Sequence, residues 1–275
     1  MTSWAAADPA TSWAAADPAD SGIVDALFED LASPNSALRD DTVYPIFTKW
    51  VRDGSLDESL ISIGDRLAAM LSHPEIQART FATLILGTAV RRAAALGLPA
   101  TAIDRWRFAF GSWWLAETDL RGYDSKLGWL HAIAHGADTV RAFALAATTS
   151  AQLESLLILV RDRLLAPTDY LFADAEDERV AYALAVILSR PELDDHVSWL
   201  EPIQAAFAAG EPGPVPAWVS NTQRTLNSLF VAISRGVIVR NAVTHEPLPP
   251  SIVASREVVL SHISDILREP SPWLA

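Results

Sequence analysis

From Ser21 onward, apolar residues recur at intervals of three and four, as in Ile23, Val24, Leu27, Phe28 and Leu31 and again in Val43, Ile46, Phe47, Trp50 and Val51. That spacing is the mark of amphipathic helices. It stops where helix-ending residues gather: Ser33-Pro34-Asn35, Asp53-Gly54-Ser55, His73-Pro74, Gly97 to Pro99, Gly122, Pro167, Pro191, Gly210 to Pro216 and Pro247 to Pro250. The breaks leave roughly ten to twelve helices. Thr149-Ser150-Ala151-Gln152 has the form of a capping box ahead of Leu153, Leu156, Leu157 and Val160. Gly236 to Val239 is the one stretch with strand character, and a single short strand is expected to have nothing to pair with. The predicted class is all-α.

Two helices share a texture. PEIQARTFATLILGTAVRR from Pro74 and EDERVAYALAVILSR from Glu176 each place acids and arginine first, then alanines and large aliphatics. Alanine lets neighbouring helices approach closely, so the expectation is a HEAT-like stack of helical hairpins in a single domain over 21–275, although no strict period near forty residues is present. Residues 2–10, TSWAAADPA, are repeated unchanged at 11–19. This tract lacks the basic start and continuous apolar run of a secretory signal, and residues 1–20 are expected to form a flexible arm outside the fold.

Composition narrows the partners. Half of the 275 residues are apolar, enough for a substantial core. Thirty-four acidic against 21 basic residues give a formal charge of −13, which disfavours nucleic acid and anionic membrane surfaces. The longest apolar run, Phe81 to Val90, is too short to span a bilayer. With no cysteine there is no disulfide framework or thiolate site, so a cytoplasmic protein is expected, and any metal must rest on histidine and carboxylate. Abundant alanine and only two lysines, Lys49 and Lys126, point to a GC-rich bacterial genome.

One segment has the residues for chemistry. A loop, Glu117 to Tyr123, leads into an expected helix from Leu127, capped by Asp124 or Ser125. At 3.6 residues per turn, His135 would lie about 40° from His131 and Asp138 about 20° to the other side, so all three would share one narrow face. Between Leu127 and Asp138 they are the only ionisable residues, on a helix apolar nearly all round. Such a helix is surrounded by protein, and its polar groups need partners. Three readings stand open. His131, His135 and Asp138 hold a divalent metal, zinc first, leaving a position for water. Alternatively, one histidine is a general acid or base in a metal-free pocket. In the third reading, the histidines are a hydrogen-bonded network locking helices together.

The spacing departs from H-E-x-x-H, because Ala132 stands where that motif has its glutamate. A base must come from elsewhere: Asp119, Glu176 or Glu178, with Glu178 favoured because Arg179 beside it can bind an anion or neutralise Asp119. Arg121 and Tyr123 are candidates for orienting a substrate, and Trp114 and Trp129 for contacting it. The cluster of Trp106, Phe108, Phe110, Trp113 and Trp114 fits core filling better than a pocket wall. Asp40-Asp41 reads as a capped helix start, and Asp174 to Glu178 as an acidic turn entering a helix. His73, His196, His245 and His262 stand singly and receive no role.

Asp119 to Ala144, DLRGYDSKLGWLHAIAHGADTVRAFA, resembles the bacterial family known as domain of unknown function 2785, with its R-G-Y loop followed by G-W-x-H-x-x-A-H-x-A-D. Arg121, Gly122, Tyr123, Gly128, Trp129, His131, Ala134, His135, Ala137 and Asp138 match that pattern, and weaker likeness extends from Ile23 to Leu267. The resemblance implies an all-helical, HEAT-like protein and brings no activity with it.

The working expectation is a small-ligand pocket with hydrolytic, metal-dependent chemistry. Its rivals are a non-catalytic scaffold that docks a protein or peptide, and a protein that sequesters an apolar natural product among its tryptophans.

Overall fold

The computed structural model describes residues 17–18, 20–210, 213–240, 246–271 and 273. The nine-residue repeat lies outside them except for Asp17 and Pro18, as does His245. Eleven helices of eight residues or more follow one another among the described residues: α1 (Ser21–Leu31), α2 (Tyr44–Asp53), α3 (Leu60–Met70), α4 (Ile76–Ala95), α5 (Ala100–Ala116), α6 (Ala132–Ala146), α7 (Ser150–Leu165), α8 (Glu176–Leu188), α9 (Glu201–Ala208), α10 (Ala217–Arg235) and α11 (Arg256–Arg268). The all-α class is therefore correct.

Local chemistry sets the ends. The Asp20 carboxylate accepts the Gly22 amide at 2.8 Å to start α1. Thr149 Oγ1 accepts the Gln152 amide, as a capping box requires, but the Gln152 side chain returns to the Thr148 amide at 2.9 Å, one residue earlier than the motif implies. Asn35 caps a short turn that passes through a π-helical segment, Arg39–Val43, into α2. That bulge turns Arg39 inward. It is fully buried, donates to the carbonyls of Ser33 and Leu127, and lies 4.7 Å over the Phe81 ring.

Packing proceeds in chain order along alternate helices: α4 lies chiefly against α6, α6 against α8, α8 against α10, and α10 against α11. Helices α3, α5 and α7 fill the other side of α4, α6 and α8. Sandwiched this way, α4, α6 and α8 bury residues all round, which their sequences anticipate. Trp106, Phe110 and Trp114 are fully buried in this core, whereas Phe108 points to solvent.

Two local expectations are corrected. The helix expected from Leu127 begins only at Ala132, because Asp124 Oδ1 accepts the Lys126 and Leu127 amides and turns the chain into a hairpin, Tyr123–Asp124 with Gly128–Trp129. Nor is the Gly236 segment unpaired: Val237 and Ser251 exchange both backbone hydrogen bonds, and Tyr182 Oη donates to the Ile238 carbonyl at 2.9 Å. These contacts lay the segment across α8.

Gly136 allows the close approach of α5 to α6. A β-carbon there would fall inside the Trp114 indole, whose Nε1 donates to the Ala132 carbonyl at 3.1 Å. Gly136→Ala should thus lower stability by about 1–3 kcal/mol despite its better helix propensity. Urea unfolding measures this, and an unchanged or raised midpoint would contradict the packing described.

Candidate functional site

The loop between α5 and α6 is anchored at its start by Glu117. This buried carboxylate takes Arg79 in a two-point ion pair, the Trp113 indole N–H, and the amides of Thr118 and Asp119. Burial acts to raise its pKa, but these donors outweigh it and the pKa is lowered. The chain then reaches Gly122, whose amide donates to Tyr170 Oη at 2.9 Å. The Gly122 carbonyl accepts from Leu130 and His131, closing the hairpin beneath it.

Gly122 has no room for a side chain. A β-carbon would collide with the Asp174 carboxylate and come 2.8 Å from Glu176 Oε1. Tyr170 Oη lies 3.4 Å from Asp174 Oδ2 and 3.3 Å from Glu176 Oε1, while Glu176 Oε2 accepts the Asp174 amide at 2.8 Å. Burial first, and then these two carboxylates, push the Tyr170 pKa up to about 12. The phenol has one proton to give, so the two acids share one side-chain donor.

His131 completes the group. One nitrogen of its ring and one oxygen each from Asp174 and Glu176 lie within 4.8 Å of one another. Glu176 is fully buried, and the other two are half-buried. His131 Nε2 is buried without a hydrogen-bond partner. Burial lowers the His131 pKa and prevails over the upward pull of Glu176 and Asp174. The ring is accordingly neutral at pH 7, with a lone pair free to coordinate. His131 and Ala175 are the only non-glycine residues with positive φ among the described residues, at 48° and 64°. Both adjoin this cluster.

The trio expected on one helix face separates. His131 precedes α6 in a left-handed conformation, so helical spacing does not govern its direction. His135 is buried edge-on against Phe81 at 5.3 Å, and its ring stands 5.7 Å from that of His131. Asp138 is committed to an ion pair with Arg179, with Arg141 at 3.8 Å. The favoured base, Glu178, is exposed in the first turn of α8, and it is Glu176 that faces His131. Asp119 is engaged by Arg121, which also holds Asp124 at 2.5 Å. Arg121 therefore braces the hairpin. Tyr123 and Trp129 form an exposed aromatic lip, the Trp129 ring 4.4 Å from that of His131. Trp114 is sealed in the core. Reasoning from sequence passed over Tyr170 entirely and read Asp174 as part of an acidic turn. The available signal was Tyr170-Leu-Phe-Ala-Asp-Ala-Glu176, with acids two residues apart and aromatics upstream.

These features define an all-helical protein with a site made of one imidazole and two carboxylates. The family described as a protein of unknown function, DUF2785, matches residues 70–231, more than half of the chain, and the chain belongs to it. The match includes His131, Tyr170, Asp174 and Glu176 and is narrower than the Ile23 to Leu267 span anticipated. No curated protein and no solved structure matches the chain.

His135 has a pH consequence. Burial first, then the neighbouring His131 and Arg179, lower its pKa from 6.5 to about 3. As pH falls below about 6.5 the unfolded chain takes up a proton that the folded chain refuses until near 3. Stability present above pH 6.5 is lost through that window, at up to about 1.4 kcal/mol per pH unit from this group. His135→Gln in chelator-treated protein should flatten the decline measured by denaturant unfolding between pH 6 and 4. Parallel curves for the two proteins would refute a buried neutral His135.

Proposed function

We propose that this chain is a small-ligand-binding member of its family in which His131, Asp174 and Glu176 hold a divalent cation, zinc first, for hydrolytic chemistry. The observation that carries this reading is a contrast among neighbouring carboxylates. Glu117 has Arg79, Asp119 has Arg121, Asp138 has Arg179 and Asp177 has Arg224, but Asp174 and Glu176 have no arginine or lysine partner among the described residues. Two unpaired carboxylates beside a neutral imidazole call for a cation.

The donors fit one. Imidazole nitrogen and carboxylate oxygens bind tetrahedral zinc at about 2.0–2.2 Å, so ligand atoms around one ion lie about 3.4 Å from each other. From separations of up to 4.8 Å, the three side chains must draw in by as much as about 1.4 Å to close on an ion of that geometry. A bound zinc supplies Lewis acidity and a lowered pKa for water. Tyr170, held by the Gly122 amide, aims its O–H at the two carboxylates and keeps their oxygens oriented. With these three groups holding the cation, proton transfer falls to a carboxylate outside them, Asp119 or Glu178 as the sequence suggests. Tyr123 and Trp129 offer an apolar face to the ligand at the mouth. Sequential packing of α4, α6, α8 and α10 supports a HEAT-like stack as the frame for this site.

Elemental analysis of protein made without a histidine tag, together with titration of apoprotein with zinc and cobalt, tests the assignment. One equivalent should bind. His131→Ala and Glu176→Gln should weaken binding by more than the roughly 10–100-fold that loss of an outer partner costs, while His135→Gln retains the metal. A wild-type protein that takes up neither ion, or a Glu176→Gln protein that binds as wild type, would sink the metal reading.

A further inference from the structure

A separate feature lies on the other side of α6. A cavity of about 730 Å³ opens between α2, α4 and α6 and is closed by Val239, Arg240 and Leu248. Five arginines line it: Arg52, Arg91, Arg92, Arg141 and Arg240. No aspartate or glutamate lines it among the described residues, although the chain as a whole carries −13. The hydroxyls of Tyr44, Thr48 and Thr88 add neutral hydrogen-bonding groups to the wall.

The arginines are not equivalent. Arg92 is neutralised by a two-point pair with Asp57. Arg141 rests on the Tyr182 ring, 5.4 Å from its centroid, reaches Asp138 only at 3.8 Å, and has a buried Nε with no hydrogen-bond partner. Arg91 has no carboxylate partner among the described residues, and it shares the cavity wall with Arg141, whose charge acts on it. Burial first, and then that neighbour, lower its pKa. Two like charges drawn together in a half-buried cavity oppose folding unless something anionic comes between them.

We infer that this cavity is a binding site for a small oxyanion, a phosphate ester or an oligocarboxylate, seated between the guanidinium groups of Arg91 and Arg141. Guanidinium forks match the planar edges of both groups bidentately, and the cavity has the volume of an ordinary small-molecule site. The site is independent of the His131 cluster.

Calorimetry and thermal melting of the full chain at low ionic strength, with pyrophosphate and with citrate as probes, test this. At least one probe should release heat and raise Tm, with binding that weakens as salt is added, and the stronger of the two identifies the head group. Arg91→Gln should weaken that binding by about tenfold or more, since a charge-assisted hydrogen bond is lost, and Arg141→Gln should do likewise. Without anion, Arg91→Gln should melt no lower than wild type, because a repulsion is removed. His131→Ala should bind the probe normally. Absence of heat with both probes, wild-type affinity in both arginine variants, or an anion-free Arg91→Gln protein melting well below wild type would each overturn the inference.

Discussion

Two acidic side chains, Asp174 and Glu176, press against a stretch of backbone at Gly122 that has no side chain to hold them off, and the rest of the site is arranged around that contact. The approach brings the loop after α5 onto the first turn of α8. It places one phenol between a backbone amide and two carboxylates, and the hairpin brings His131 to the same group. His131 and Ala175 adopt left-handed backbone conformations where these two strands of chain meet. Such residues cost of order 1–3 kcal/mol each and persist where the surroundings over-determine them. Here the surroundings are the Trp114 indole on the Ala132 carbonyl, the Arg39 guanidinium on the Leu127 carbonyl, and the Glu117–Arg79 anchor. The site sits on the ends of three rigid helices, with the loop fastened at several points.

Much of the frame was legible in the sequence because hydrophobic period, caps and breaks are local properties. Thr149, Asn35, Gly54 and the prolines mark boundaries wherever the chain is placed, and the apolar girth of α4, α6 and α8 announces burial without any knowledge of neighbours. The site was legible only in part. Helical spacing grouped His131 with His135 and Asp138, but the helix starts one residue too late for that rule to apply to His131. The cause lies in Asp124, read as a helix cap, which caps a turn instead. Pairing of His131 with Asp174 and Glu176 spans more than forty residues and depends on how α8 meets the loop. No periodicity encodes that meeting. The contrast between exposed Glu178 and buried Glu176 has a related cause: on a helix start, which acid faces inward is decided by the neighbouring element.

The distribution of charge explains why an acidic chain holds a basic cavity. Three carboxylates near the site are spent on arginines brought by a different element: Arg79–Glu117 between α4 and the loop, Arg179–Asp138 between α8 and α6, and Arg224–Asp177 between α10 and α8. These pairs fix helix ends against each other. Asp138 spans both regions, since it holds Arg179 on the His131 side and leans toward Arg141 on the cavity side. Arg91 and Arg141 line the same cavity, where Arg141 has the distant Asp138 and Arg91 has no carboxylate partner among the described residues.

An alternative account of the Asp174–Glu176 pair is that the positive end of α8 satisfies it, because Glu176 opens that helix and acids are favoured there. Magnitudes decide against this as the full explanation. A helix terminus contributes about 0.3–1 kcal/mol to a nearby acid, and about 2 kcal/mol in the best partly buried geometries. Withdrawing a carboxylate from water costs several kcal/mol, and here a second carboxylate adds its repulsion. Tyr170 provides one hydrogen bond and the Asp174 amide another, each worth about 1.5–3 kcal/mol to a charged acceptor. Those terms are modest beside the cost of holding two carboxylates together, and no arginine or lysine joins them among the described residues. The imidazole of His131 brings a third donor atom to the same group. The proposed cation would use all three groups at once, which neither the helix end nor the phenol does.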